Sequence, residues 1–265
     1  MFANKKDLQS AIATYMQTGG VHCPHGPIGT WDVRGITDMS YLFSHPPEAA
    51  YHFNEPLDNW DVSQVTNMSR MFFNCHTFNQ PLEHWDVSQV TNMSFMFAGC
   101  YAFDQPLQAW DVSNVVDMSG MYGECGWFDQ PLEHWDVSNV INMAHMFYKC
   151  HHFNQPLQAW NVSNVVSMHN MFYSCTALNQ PLQTWNVSLV RNMSFMFYNC
   201  RHFNQPLDEW DVSQVTDMFN MFFGCMSFTH NLYAWTCRNG YVLKRSDDIF
   251  PSTAWLAPVL IYTLK

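Results

Sequence analysis

Trp60, Trp85, Trp110, Trp135, Trp160, Trp185, Trp210 and Trp235 stand 25 residues apart without a slip. Cys75, Cys100, Cys125, Cys150, Cys175, Cys200 and Cys225 keep the same step. A fixed period of this length confines a chain to an array of like units, each covering its neighbour's apolar face. A lone coil of this length loses more conformational entropy than its few apolar side chains offset by burial. The coils must therefore stack, and every residue becomes a member of a column.

Inside one unit, Leu82, Trp85, Val87 and Val90 follow the spacing of leucine-rich repeats, in which a short strand carries the inward residues. Val90, Met93, Phe97 and Cys100 then step by three or four, which predicts one turn of α- or 3-10 helix. Phe103 and the Asp104-Gln105-Pro106 turn lead back to the next strand. The fold class expected is an α/β repeat solenoid, with one parallel β-sheet face and short helical or 3-10 turns opposite. A parallel sheet has two open edges, and both need blunting.

The ends supply candidates for that. In residues 5–16, Leu8, Ile12, Tyr15 and Met16 lie at helical spacing, and Gly19-Gly20 stops the pattern, so residues 1–30 read as a capping helix and turn. Residues 31–235 read as about eight coils, the first interrupted by an insertion at 44–52. Residues 236–265 lose the repeat and read as a C-terminal cap, with the apolar stretch 254–264 as a docking strand in the alternative.

Composition narrows function. Only 12% of the 265 residues are charged, about half the usual share, and the formal balance is −11. An acidic chain repels phosphate backbones and anionic lipid, so neither nucleic acid nor an anionic membrane surface is an expected partner. No apolar run is long enough to span a membrane, and the first residues have no apolar signal region. An intracellular, reducing compartment or a virion is the expected location. Stacked cysteines on parallel vectors do not give disulfide dihedrals, which predicts buried free thiols.

The motif W-[DN]-V-S-x-V-x-x-M-x-x-M-F-x-x-C-x-x-F-[ND]-Q-P-L, running over about residues 31–235, resembles the BspA-like leucine-rich-repeat surface proteins. That form of the repeat also occurs in mycoplasma surface lipoproteins and giant DNA viruses. The resemblance implies a right-handed solenoid with a parallel sheet on one face, and surface display with adhesion and protein binding. It brings no catalytic residues. The bacterial members' signal peptide and lipobox cysteine have no counterpart here, which points to a viral or intracellular origin.

No Ser-His-Asp order, phosphate loop or HExxH motif occurs, so the chain is not expected to be an enzyme, and no cofactor is implied. His22-Cys23-Pro24-His25 lacks the second ligand pair of a zinc site, and no metal ligand set is assigned. The positions that vary between coils are those at 83 and 84 and their equivalents. With the neighbouring Asp column they form the candidate binding face: Glu83, His84, Asp86, Glu133, His134, Asp136, Asp208, Glu209 and Asp211. A protein partner with a basic surface fits it. The alternatives are a structural part of a virion or other assembly, self-associating through the coil ends, and a calcium ladder along the Asp column. Against the ladder, each carboxylate can accept the N–H two residues on, as an Asx turn does.

Overall fold

A computed structural model describes residues 1–21, 23–44, 50–230, 232 and 235. Helix α1, Lys5–Thr18, forms where the periodicity places it. The Asn4 side chain accepts the Asp7 N–H at 3.0 Å, and Gly19 at φ 61° ends the helix in the left-handed region that glycine adopts without strain. Leu8, Ala11, Ile12 and Tyr15 face inward. Tyr15 meets the Trp31 ring edge-on at 5.7 Å, and Lys5 Nζ reaches Asp38 Oδ2 at 3.0 Å, tying α1 to the first coil. A 3-10 turn, Ile28–Thr30, leads into that coil.

The expected parallel sheet does not form. Among the described residues the coils meet through seven isolated parallel bridges, from Asp38–Asn67 to Asn192–Asp217, each one residue pair long. The proposed strand over Leu82 to Val90 is interrupted twice: Trp85 N–H bonds Leu82 O at 3.1 Å, and Val90 N–H bonds Val87 O at 2.9 Å. These are β-turns, and a residue whose N–H closes a turn cannot give it to a ladder.

The expected helical turn is corrected for a related reason. Over residues 93–100 the backbone donors alternate between two targets. Met93, Phe95, Phe97 and Gly99 donate to Asp117, Ser119, Met121 and Gly123 of the next coil at 2.7–2.9 Å. Met96, Ala98 and Cys100 donate back three residues, to Met93, Phe95 and Phe97. Phe95 and Gly99 carry φ of 56° and 79°, which a helix cannot contain. The step of three to four residues is thus the step of chained β-turns. Among the described residues the architecture is a stack of coils made almost wholly of turns, with no sheet face and no helical face.

Side chains supply links that strands would have supplied. Trp85 Nε1 donates to Leu57 O at 3.0 Å, Trp110 to Leu82 O at 2.9 Å, and the pattern continues to Trp235 and Leu207 O at 2.9 Å. Asn79 Oδ1 accepts the Asp104 N–H at 3.0 Å, Asp104 Oδ1 the Asp129 N–H at 3.0 Å, and Asp129 Oδ1 the Asn154 N–H at 2.8 Å. This ladder runs along the turn that precedes each Gln-Pro-Leu. The cysteines do similar work inside. Cys100 Sγ donates to Phe72 O at 3.1 Å and Cys200 Sγ to Phe172 O at 2.9 Å. All eight described cysteines are free, seven of them buried, and burial pushes those seven thiols up in pKa.

The core is a double aromatic stack. Phe72, Phe97, Tyr122, Phe147, Phe172, Phe197 and Phe222 lie ring over ring at 5.4–5.9 Å, and Phe78, Phe103, Phe128 and Phe153 at 6.1–6.2 Å alongside. Tyr122 is the one hydroxylated ring among them, and its Oη is buried without a hydrogen-bond partner. An unpaired buried hydroxyl costs about 1–3 kcal/mol, so Tyr122→Phe is expected to raise the urea midpoint. A lowered midpoint would mean that the hydroxyl is satisfied in solution.

Candidate functional site

The candidate face follows from the turn between Leu82 and Trp85. Leu82 and Trp85 are both buried, so the two residues between them are held at the crown of the turn. The same closing hydrogen bond recurs at 2.9–3.1 Å in each coil from Leu57–Trp60 to Leu207–Trp210. Register of 25 residues therefore places Glu83, Glu133 and Asp208 in one column, and His84, His134 and Glu209 in the next. The positions form a ridge of stacked turn crowns, not the face of a strand. Glu83, His84, His134 and Glu209 are exposed, and Glu133 and Asp208 half-buried.

The nine residues form three groups and not one cluster. Gln108-Ala109 separates the Glu83 and Glu133 coils, and Gln158 and Gln183 stand between Glu133 and Asp208. Within the first group His84 Nδ1 lies 2.7 Å from Asp58 Oδ2, one coil back. That hydrogen bond, with the Asp58 charge, raises the His84 pKa. The sign follows: a raised imidazole pKa contributes stability below the ordinary histidine range, lost as pH rises through the raised value. Full exposure keeps that contribution small. His134 Nε2 stands 3.6 Å from Glu133, without an Asp58 equivalent bonded to it.

The Asp column is built from Asx turns. Asp86, Asp111, Asp136 and Asp211 each accept the backbone N–H of the serine two residues on, at 3.0–3.1 Å. Asn161 and Asn186 do the same at 3.2 Å, so the geometry needs an oxygen and not a charge. Hydrogen bonds from the Ser138 hydroxyl and N–H hold the Asp136 carboxyl below the usual carboxylate range. One oxygen of each carboxylate is thereby committed to the fold. Among the described residues no three His, Cys, Asp or Glu side chains are grouped to hold a metal ion. His22 of the His-Cys-Pro-His stretch lies outside the described residues, as do the proposed C-terminal cap at 236–265 and residues 45–49 of the proposed insertion.

Sequence reasoning missed a second Asx column and an aromatic edge. Asn67, Asn92, Asp117, Asn142, Asn192 and Asp217 each accept the N–H two residues on at 2.8–3.1 Å, at the bridge position. The signal was present as Asn or Asp in nearly every coil just before Met. At the positions that follow the cysteine column Tyr51, His76 and Tyr101 stack, as do Trp127 and His152. Those side chains differ from coil to coil, and only the register puts them in contact.

The fold and the ridge define a turn-built repeat protein whose constant backbone displays variable crowns. Residues 11–132 and 117–235 match the family described as "Mycoplasma protein of unknown function, DUF285", and the chain belongs to that family. No curated protein matches the chain. No helix among the described residues is long and apolar enough to cross a membrane.

Asp136→Ala is expected to cost about 0.5–1.5 kcal/mol at neutral pH by removing the cap, whereas Asp136→Asn stays near wild type. The depressed carboxyl contributes stability above the ordinary aspartate range, and this is lost as pH falls through the depressed value. Urea unfolding of Asp136→Asn at pH 7 and in acid therefore shows a smaller acid loss than wild type. Equal acid losses would remove this carboxylate from the account.

Proposed function

We propose that the protein is a non-catalytic repeat scaffold that binds another protein through the ridge of turn crowns. The observation that carries this reading is the contrast within one turn: the same closing hydrogen bond and buried anchors in each coil from Leu57–Trp60 to Leu207–Trp210, beneath exposed or half-buried residues that change. Glu83, Glu133, Asp208 and Glu209, on a chain of formal charge −11, favour a basic partner surface. The repeat's similarity to BspA-like proteins supports a surface-displayed, adhesive role, on a cell or a virion.

The test is binding of a fluorescent oligolysine peptide by wild type and by the quadruple reversal of Glu83, Glu133, Asp208 and Glu209 to Lys. Exposed pairs are worth about 0.2–1 kcal/mol each, so reversing four should weaken binding roughly fourfold or more, with an effect that fades at high salt. Unchanged affinity would remove the ridge as the binding face.

A second reading, assembly through the coil ends, draws on one observation. Residues Met93, Phe95 and Gly99 donate to the following coil, whereas their last-coil equivalents Met218, Asn220 and Gly224 have no acceptor for those N–H groups among the described residues. Light scattering across a concentration series should show ordered growth if this end recruits another copy. A constant monomer mass would dismiss it.

A further inference from the structure

The aromatic edge, seven residues before the ridge in each coil, contains a gap. Tyr51, His76 and Tyr101 occupy one column in successive coils, with ring centroids 4.3 and 4.5 Å apart and interplanar angles of 5° and 25°. The next member of the column is Gly126, and the one after it His151. A Cβ built on Gly126 meets nothing nearer than His151 Cδ2 at 3.9 Å. Gly126 is also outside the left-handed backbone region, so the chain path does not demand glycine there. The outer face of Tyr101, itself 45% exposed, is left without a ring against it.

The adjoining column meets the gap from the other side. Trp127 is 62% exposed, whereas the other described tryptophans are 5% exposed or less. One face of its indole rests on His152 at 4.4 Å and 13°, and His152 Nδ1 lies 2.7 Å from Gly126 O, which fixes the imidazole behind it. The other face looks back along the stack over Ala102, the small preceding member of that column. By the register Tyr101 turns its open face forward to Gly126 and Trp127 turns its own back to Ala102, in adjacent columns of the same step between coils.

We propose that this gap is a docking slot for an uncharged aromatic side chain of a partner protein. The inference rests on the protein-binding reading above and adds a second contact surface to it. Each step of the Tyr51–His76–Tyr101 stack is 4.3–4.5 Å, so a ring seated on Tyr101 at that separation takes the place of the missing Gly126 side chain, short of the His151 imidazole, which is held 2.9 Å from Ser174 O. Glu124 and Lys149, whose charges reach Tyr101 with opposite effect, pair with each other at 2.7 Å, so the slot offers ring faces beside a compensated ion pair. Exposed Trp and Tyr faces on a rigid backing are the residue types that anchor protein interfaces.

The experiment uses the full chain and three probes: N-acetyl-tyrosinamide, N-acetyl-leucinamide and methyl N-acetylglucosaminide. Among the described tryptophans Trp127 is the accessible one, so in the full chain carrying Trp255→Phe iodide quenching reports on the slot, and the Trp127 indole N–H resonance provides a second readout. Saturable protection and a resonance shift with tyrosinamide, absent with leucinamide, are expected. Gly126→Tyr, and Gly126→His as a milder variant, restore the missing ring within the chain and should abolish the response while holding or raising the melting temperature. Equal responses to leucinamide, a response to the sugar alone, or a tyrosinamide response that survives both substitutions would overturn the proposal. Both variants keep the acidic ridge, so oligolysine binding separates failure of the slot from failure of the ridge.

Discussion

Every layer of this structure depends on how one stretch of backbone divides its hydrogen bonds. Alternate N–H groups between Met93 and Cys100 close local turns, and those between them cross to the next coil. A strand would give such donors to its neighbours and a helix would keep them within itself. Sharing them makes each coil rigid on its own scale and coupled to the next at the same time. The left-handed residues, Phe95 and Gly99 in one coil and His145 and Lys149 in another, are the local cost of that alternation. Stacking offsets it, because each of those backbones is held by a coil on either side.

The period, the buried columns and the N-terminal helix were legible in the sequence because each depends on apolar spacing alone. Trp85, Val87, Met93 and Phe97 are buried wherever the backbone goes between them. The backbone itself was not legible. Leu82, Trp85, Val87 and Val90 satisfy a short strand and two successive turns equally well, since both bury the same four side chains. The signs that usually announce left-handed turns were muted too. Asn74, Asn170, Asn199 and Asn220 are the residue type that adopts this region readily, but Phe95, Phe195, Tyr41 and Arg70 are not. Tertiary contacts hold those four: Arg70 lies over the rings of Tyr41 and Phe95 at 5.3 and 5.0 Å, and Phe195 meets the Phe219 ring edge-on at 5.3 Å.

The candidate surfaces divide along the same line. The ridge could be located because its residues change against an unchanging frame, and an Asx turn could be named because Asp and Ser recur together. The aromatic edge could not be read one residue at a time. Tyr51, His76 and Tyr101 look unrelated along the chain, and Gly126 looks like an ordinary turn glycine. Their relation exists only once the register is fixed, as a run of rings with one missing.

The coupling between coils also has a direction. Met93, Phe95, Phe97 and Gly99 give hydrogen bonds forward, while Trp85 Nε1 and Cys100 Sγ give theirs backward to carbonyls 28 residues earlier. Each interior joint is therefore the same joint, with the same donors facing the same acceptors. A gene for such a chain can gain or lose whole repeats by unequal recombination, because the backbone joint is the same between interior coils. Loss of a single codon inside a coil displaces every one of these bonds at once. Length is consequently free to drift over generations while the cross-section of the molecule is held fixed, and new crowns or new gaps can arise in an added coil without disturbing the old ones.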